Sequence, residues 1–294
     1  MGVEVIEGKI EESCLSLKEK GLTVEQLKII AIVTMFIDHF AAVLFPYFQL
    51  SYAHNQSSFF WYQLAITLMR LIGRVAFPIF AFLIVNGFYH TSNRKNYLIR
   101  LGVFALVSEP FFDFALFGTW FETTHQNVFF TLALGLLAIW GYDNISRENR
   151  RNYIGGLFVA CIGFLALNLK TDYDFYGILT IFLIYLFFEN FKRMSIALIG
   201  LNVVLYAAQL SVWSLIPPFV LRNYGLQLQG GYGLGIQVTF YLLFISQLFS
   251  LLALFILKYY NGEKGNSVNK YFFYAFYPVH LFVLGLILYL LQLA

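Results

Sequence analysis

Charge is scarce in this chain: Asp, Glu, Lys and Arg make up 12% of 294 residues, where a soluble globular protein carries about 25%. A surface facing water needs groups that water solvates, so the shortfall excludes an ordinary soluble domain. Cysteine is nearly absent, and Cys14 in a polar stretch and Cys161 in an apolar one are unlike partners for a disulfide. Net charge is only +3 and no basic cluster interleaves with aromatics, so nucleic acid is not an expected partner. Walker A, HExxH, GxSxG and paired-cysteine patterns are all missing. Nucleotide hydrolysis is therefore unsupported, and no metal is expected. Residues 1–26 lack a basic segment leading into an apolar run and a small-residue cleavage site. The first apolar segment is accordingly expected to remain as a span.

What is present is apolar and aromatic: 60% of residues are hydrophobic and 20% are aromatic. A membrane helix needs about 20 mostly apolar residues, because the hydrocarbon core is about 30 Å thick and a helix rises about 1.5 Å per residue. That rule predicts about nine spans, near 27–48, 62–90, 98–117, 126–142, 153–169, 175–190, 194–212, 236–257 and 271–292. The segment 213–235, broken by Pro217–Pro218 and rich in glycine, is predicted to be a loop or a re-entrant piece buried in protein. The expected fold is an all-α polytopic transmembrane helix bundle formed by 27–294, behind a cytoplasmic tail at 1–26. Orientation follows from Lys and Arg. With the N-terminus inside, fifteen basic residues fall in cytoplasmic segments and two, Lys170 and Arg222, fall outside. This alternation predicts a multi-pass protein of the plasma or inner cell membrane, with the C-terminus outside.

Ionisable groups inside spans are costly and are functional candidates by default. They are Asp38 and His39 in the first span, Arg70 and Arg74 in the second, Glu109 and Asp113 in the third, and His280 in the last. Counting from each helix's basic end, His39, Glu109 and His280 lie about 14–16 Å deep, near one plane. Arg70 and Arg74 share a face one turn apart, and Arg74 is expected to reach Asp113. Each group also admits a plain role, Arg beside a carboxylate or His on a backbone carbonyl. A mid-membrane histidine beside a carboxylate, however, can exchange a proton near neutral pH. Pro78 and Pro110 are expected to kink the second and third spans, and Pro278 to free a carbonyl that His280 could satisfy. Asn127, at the outer start of the fourth span, and Asp174, in TDYDFYG, are candidate substrate contacts. Asp113 is a further one; Asp172 shares with Asp174 the reading of an acceptor or cation site, against that of a solvated turn, and Glu122 and His125 are similarly ambiguous.

Several stretches resemble the TraX family: LKIIAIVTMFIDHFAAVLFP (27–46), RLIGRVAFPIFAFLIVNGFYHT (70–91), NYLIRLGVFALVSEPFFD (96–113), HQNVFFTLALGLLAIWGYD (125–143), TDYDFYGIL (171–179) and YFFYAFYPVHL (271–281). The founding member is associated with acetylation of conjugative pilin. The family is similar, more distantly, to the class of transmembrane acyltransferases, which implies transfer of an acyl group from cytoplasmic acyl-CoA to an acceptor on the far side. The resemblance implies acetyl-CoA or another acyl-CoA as donor, and a pilin N-terminus or a glycan as acceptor. It makes His39 the catalytic base and His280 the late histidine, and it aligns Arg94 and Arg100 with a basic stretch after the second span. The residues accommodate this: Asp38 or Glu109 could orient His39, Arg94, Lys95 and Arg100 could hold CoA phosphates, and Arg70 and Arg74 could bind acceptor or donor. Two other functions compete. One is a proton-coupled transporter or flippase with a relay through these groups and a broken helix at 213–235. The other is a non-catalytic membrane component of a conjugation apparatus.

Overall fold

A computed structural model describes residues 21–52, 56–149, 152–214, 246–266 and 268–293. Its elements are α1 (Val24–Tyr52), α2 (Gln56–Gly73), α3 (Ala76–His90), α4 (Arg94–Phe117), α5 (Val128–Asn149), α6 (Asn152–Asn168), α7 (Asp174–Leu186) and α8 (Phe191–Ser214). A 3₁₀ stretch, Ser246–Leu252, then leads into α9 (Ala253–Leu257), and α10 (Lys270–Leu293) closes the chain. The described part is an all-helical bundle without strands; only two isolated bridges occur, Leu22 with Tyr260 and Gln126 with Thr171. The expectation for 213–235 falls outside the described residues apart from Trp213 and Ser214, which end α8. The same is true of residues 1–20 and of the first half of the 236–257 run.

Among the described residues, four stretches are long and apolar enough to cross a bilayer: 24–49, 57–90, 128–147 and 271–293. Helices α6 and α7, with 17 and 13 residues, are shorter than the run a perpendicular crossing needs. The bundle's outside is nevertheless that of a membrane protein. Phe121, Tyr153, Leu106, Val204 and Phe255 are each more than 60% exposed. Water would penalise so wide an apolar surface, and lipid does not.

Packing sets α1 against α2, α3 and α10, and sets α10 against α4 as well. The first and last helices are thus neighbours. The start of α1 is capped by Thr23, whose backbone N–H donates to Gln26 Oε1 at 2.9 Å, the reach-back half of a capping box. A main-chain strap holds this end to the 259–264 turn: Leu22 N–H donates to Tyr259 O at 2.6 Å, Val24 to Glu263 O at 2.9 Å, and Asn261 back to Leu22 O at 3.0 Å.

The expected 62–90 span is not one helix. Arg74 and Val75 turn through i−3 bonds to Leu71 and Ile72, both 3.2 Å, and α3 starts afresh at Ala76. Pro78 explains the break. Its ring would collide with the carbonyl of residue 74 in a continuous helix, whereas in a first turn its missing N–H costs nothing. Pro78 therefore starts a helix rather than kinking one, and Arg74 sits at the discontinuity. Just before it, a Cβ on Gly73 would lie 2.2 Å from Asp38 Cβ, so glycine permits the close approach of α2 to α1. We expect Gly73→Ala to destabilise the protein by about 1–3 kcal/mol through overpacking. Gly156→Ala, where a Cβ meets nothing within 4 Å, should be neutral or stabilising by about 0.5–1 kcal/mol. Thermal unfolding in nanodiscs checks the pair, and equal effects would refute the steric account.

Candidate functional site

The α1–α10 contact brings together the two histidines singled out by the sequence. His39 Nδ1 and His280 Nε2 are 2.7 Å apart, both side chains are buried, and the rings are within 15° of parallel. His280 Nδ1 lies 2.7 Å from Phe276 O. A carbonyl only accepts, so in neutral His280 the proton is on Nδ1 and Nε2 carries a lone pair. That lone pair can accept only if His39 donates from Nδ1. His39 Nε2 is then left unprotonated, which is the form a general base requires. The backbone of one helix thereby selects the tautomer on another. Tyr277 packs edge-on against both rings at 5.7 Å, and Phe276 stacks on His280 at 4.9 Å. The carbonyl satisfied is that of Phe276, not the Tyr274 carbonyl that Pro278 frees.

Asp38 points the other way, as a neighbour displaced by about 100° on a helix must. Its Oδ2 accepts from Arg70 Nη1 at 2.8 Å, while Oδ1 is buried and unpartnered. Arg74, at the helix break, lies in electrostatic contact with Tyr173, Asp38 and Asp172, and its Nε is buried without a partner. Asp172 in turn meets His125 at 3.3 Å. A small chamber of about 30 Å³ is bounded by Asp38, His39, Asp172 and Tyr173 on its polar side. Met35, Ala76, Phe77, Phe80 and Val128 form its apolar side.

A larger cavity of about 350 Å³ shares Met35, Phe80 and Val128 with that chamber, so these three side chains stand between the two. Its far end carries Lys28, His90 and Arg100, and Tyr277 lines it beside His39. Arg100 Nε donates to Tyr274 OH at 3.2 Å, with its guanidinium 5.2 Å from the Tyr97 ring. Lys28 Nζ bonds Glu25 at 2.9 Å.

Several expected pairings are different. Arg74 does not reach Asp113, whose Oδ2 accepts instead from the Glu122 backbone N–H at 2.8 Å. Glu109 does not orient His39. It accepts from Asn127 N at 3.1 Å and from Asn127 Nδ2 at 2.5 Å, so Asn127 holds a carboxylate and caps the entry to α5. Arg94 is drawn into a buried hub, with Nη1 at 2.7 Å from Asp143 Oδ2 and the guanidinium over Phe88 at 3.9 Å. Arg147 and Tyr185 bond the other Asp143 oxygen, each at 3.0 Å. Lys95 is exposed, and of the expected phosphate-binding trio only Arg100 lines the cavity. Asp174 lies at φ +42°, in the left-handed region that Asp tolerates, with Oδ1 buried and unpartnered. Sequence reasoning gave Lys28 no role beyond topology and passed over Asp143 and Tyr173. A buried acidic residue near a helix end, as at Asp143, was the one available signal.

The TraX protein family model matches residues 23–288, nine-tenths of the chain and the whole stretch from His39 to His280. The chain belongs to the TraX family. A curated relative, the probable fimbrial assembly protein FimC (serogroup H1) of Dichelobacter nodosus, is 27% identical over 269 residues, covering 88% of this chain and 93% of its own. No solved structure matches. Among the described residues of this TraX-family chain, no cluster of three metal-ligating side chains forms.

Beyond the helices, Glu122 is held below its usual range by hydrogen bonds from Thr124 and Thr123. The hydrogen bond to Asp172 raises His125 above its ordinary value of 6.5, against the opposing effect of burial. A raised histidine contributes stability that is fully present below about pH 6.5 and is lost as pH rises through the folded pKa. NMR titration should therefore show His125 above 6.5 in the wild type and lower in Asp172→Asn. An unchanged value in the variant would remove Asp172 as the cause.

Proposed function

We propose that this protein is an acyl-CoA-dependent membrane acyltransferase, with acetyl-CoA as donor, acting on an amine or hydroxyl presented from the far side of the membrane. The observation that carries this reading is the adjacency of two spaces beside His39, which lines the smaller one and whose Nε2 is left unprotonated by the bond to His280. One space is a cavity with Lys28, His90 and Arg100 at its mouth, suited to anionic phosphates through charge-assisted bonds. The other is a chamber walled by Asp38, Asp172 and Tyr173 on the acceptor side. The excess of lysine and arginine on the expected cytoplasmic segments supports donor access from the cytoplasm, with the N-terminus inside.

In the transfer step the acceptor nitrogen or oxygen attacks the thioester carbonyl while His39 Nε2 takes its proton. The tetrahedral intermediate collapses by breaking the C–S bond. The departing thiolate then takes the proton from His39, leaving CoA and acylated acceptor. His280 holds His39 Nδ1–H throughout and stabilises the imidazolium, so it is a positioning residue. Arg74, which does not line the chamber but interacts with its Asp38 and Tyr173, would offset the developing oxyanion's charge through the local field. The matched relative's fimbrial role supports a pilin as acceptor. It equally supports a second reading, a non-catalytic membrane component of pilus assembly or conjugation. The transporter reading drew on a relay through Asp38, His39, Glu109, Arg74 and His280; His39 and His280 are bonded and Arg74 lies near Asp38, but Glu109 is bonded to Asn127 and breaks the relay.

The test is transfer from acetyl-CoA to a short peptide with a free N-terminal amine, using protein in nanodiscs. We expect His39→Ala to lower the rate by about 10²–10⁴-fold. His280→Ala should also lower it and shift the pH–rate profile, and His280→Gln, whose carbonyl can accept from His39 Nδ1–H, should restore part of the loss. Full activity in His39→Ala would end its role as base. No acetyl-CoA binding by the wild type would favour the non-catalytic reading.

A further inference from the structure

We propose that the chamber beside His39 sets the acyl length of the donor, with Phe77 and Ala76 as its end wall and Met35 and Phe80 as its neck; this rests on the acyltransferase reading above. The two adjacent spaces differ about tenfold in volume, about 350 against about 30 Å³, with Met35 and Phe80 between them. One water-sized group needs about 10–15 Å³ of such space. The chamber at His39 therefore holds two or so non-hydrogen atoms, the carbonyl and methyl of an acetyl group. The pantetheine arm would fill the larger space behind it.

The neck and the wall differ in how they can yield. Met35 has three rotatable bonds and can move aside for a thioester to pass. Phe77 cannot. It is 1% exposed and stacks on Tyr173 with ring centroids 3.7 Å apart and planes 10° from parallel. Its far edge abuts Gly177, where an added Cβ would come within 3.1 Å of Phe77 Cζ and 2.4 Å of Thr131 Cγ2. A ring held on both sides has nowhere to swing. The remaining direction is toward Asp38 and Asp172, and a longer alkyl chain turned that way would strip water from carboxylates without replacing it. Length is thus limited by a rigid apolar wall on one side and charged groups on the other.

The test uses equilibrium binding of CoA, acetyl-CoA and butyryl-CoA to the full chain in nanodiscs. The wild type should bind acetyl-CoA about tenfold or more tighter than butyryl-CoA, the discrimination a tight apolar pocket gives per methylene. Phe77→Leu should bring the two within about threefold by opening the wall. Ala76→Val, which fills the chamber, should abolish the advantage of acetyl-CoA over CoA while leaving CoA affinity unchanged. This second variant carries the test if Phe77→Leu does not fold. Equal wild-type affinity for acetyl-CoA and butyryl-CoA would overturn the length limit and leave the acyltransferase reading standing. Failure to bind even CoA would overturn that reading instead.

Discussion

The hydrogen bond between His39 and His280 can exist only if the first and last helices lie side by side at a fixed height. Much of the remaining structure serves that condition. Gly285 lets α10 seat against α4, since an added Cβ there would lie 2.8 Å from Phe114 and 3.1 Å from the Ala115 backbone. Tyr277 packs edge-on against both rings and Phe276 stacks on His280, which holds the pair in place. Two buried imidazoles in a low-dielectric interior would be costly if either were left unpaired. Here three of the four ring nitrogens have a partner, and the residue that carries the fourth, His39, lines the chamber. The unmet polar demand of the pair is thereby confined to one nitrogen.

A second arrangement acts at right angles to the first. The Pro78 break ends α2 at Gly73 and lets Arg74 leave the helical path beside Asp38 and Tyr173. A continuous helix would have carried Arg74 around the cylinder with a fully bonded backbone behind it. The break therefore places a cation near the chamber that His39 lines, and the close approach at Gly73 places a carboxylate in its wall. Asp38 is held by Arg70 and not by the neighbouring histidine, so the two adjacent residues of α1 serve different walls of one space.

The sequence displayed some of this and hid the rest for physical reasons. Lipid as solvent writes itself into a chain as runs of about 20 apolar residues, so the bundle was legible, as were the ionisable residues that interrupt it. Depth along a helix axis was legible too, and it put His39 and His280 at one level. Axial depth is only one coordinate, however. Which helices are neighbours, and which way each residue faces, depends on packing between segments far apart in the chain. Glu109 shares the depth of His39 but faces Asn127 across α4 and α5, and Arg74 turns to Tyr173 rather than Asp113. Arg94 looked like a phosphate ligand because its partner, Asp143, stands 49 positions away. Proline position was read as a kink at Pro78 when the i−4 clash, four residues upstream, marked a start.

Because the proton on His39 is fixed by a carbonyl in α10, the reactive form of this residue belongs to no local segment. A chain still being threaded into the membrane carries His39 from its first helix, yet lacks the ring that dictates which nitrogen is basic until the last one arrives. Assembly order thus acts as a safeguard. The tautomer of His39 is set only when the bundle is whole, and a partly inserted protein holds an imidazole whose two nitrogens are not yet distinguished.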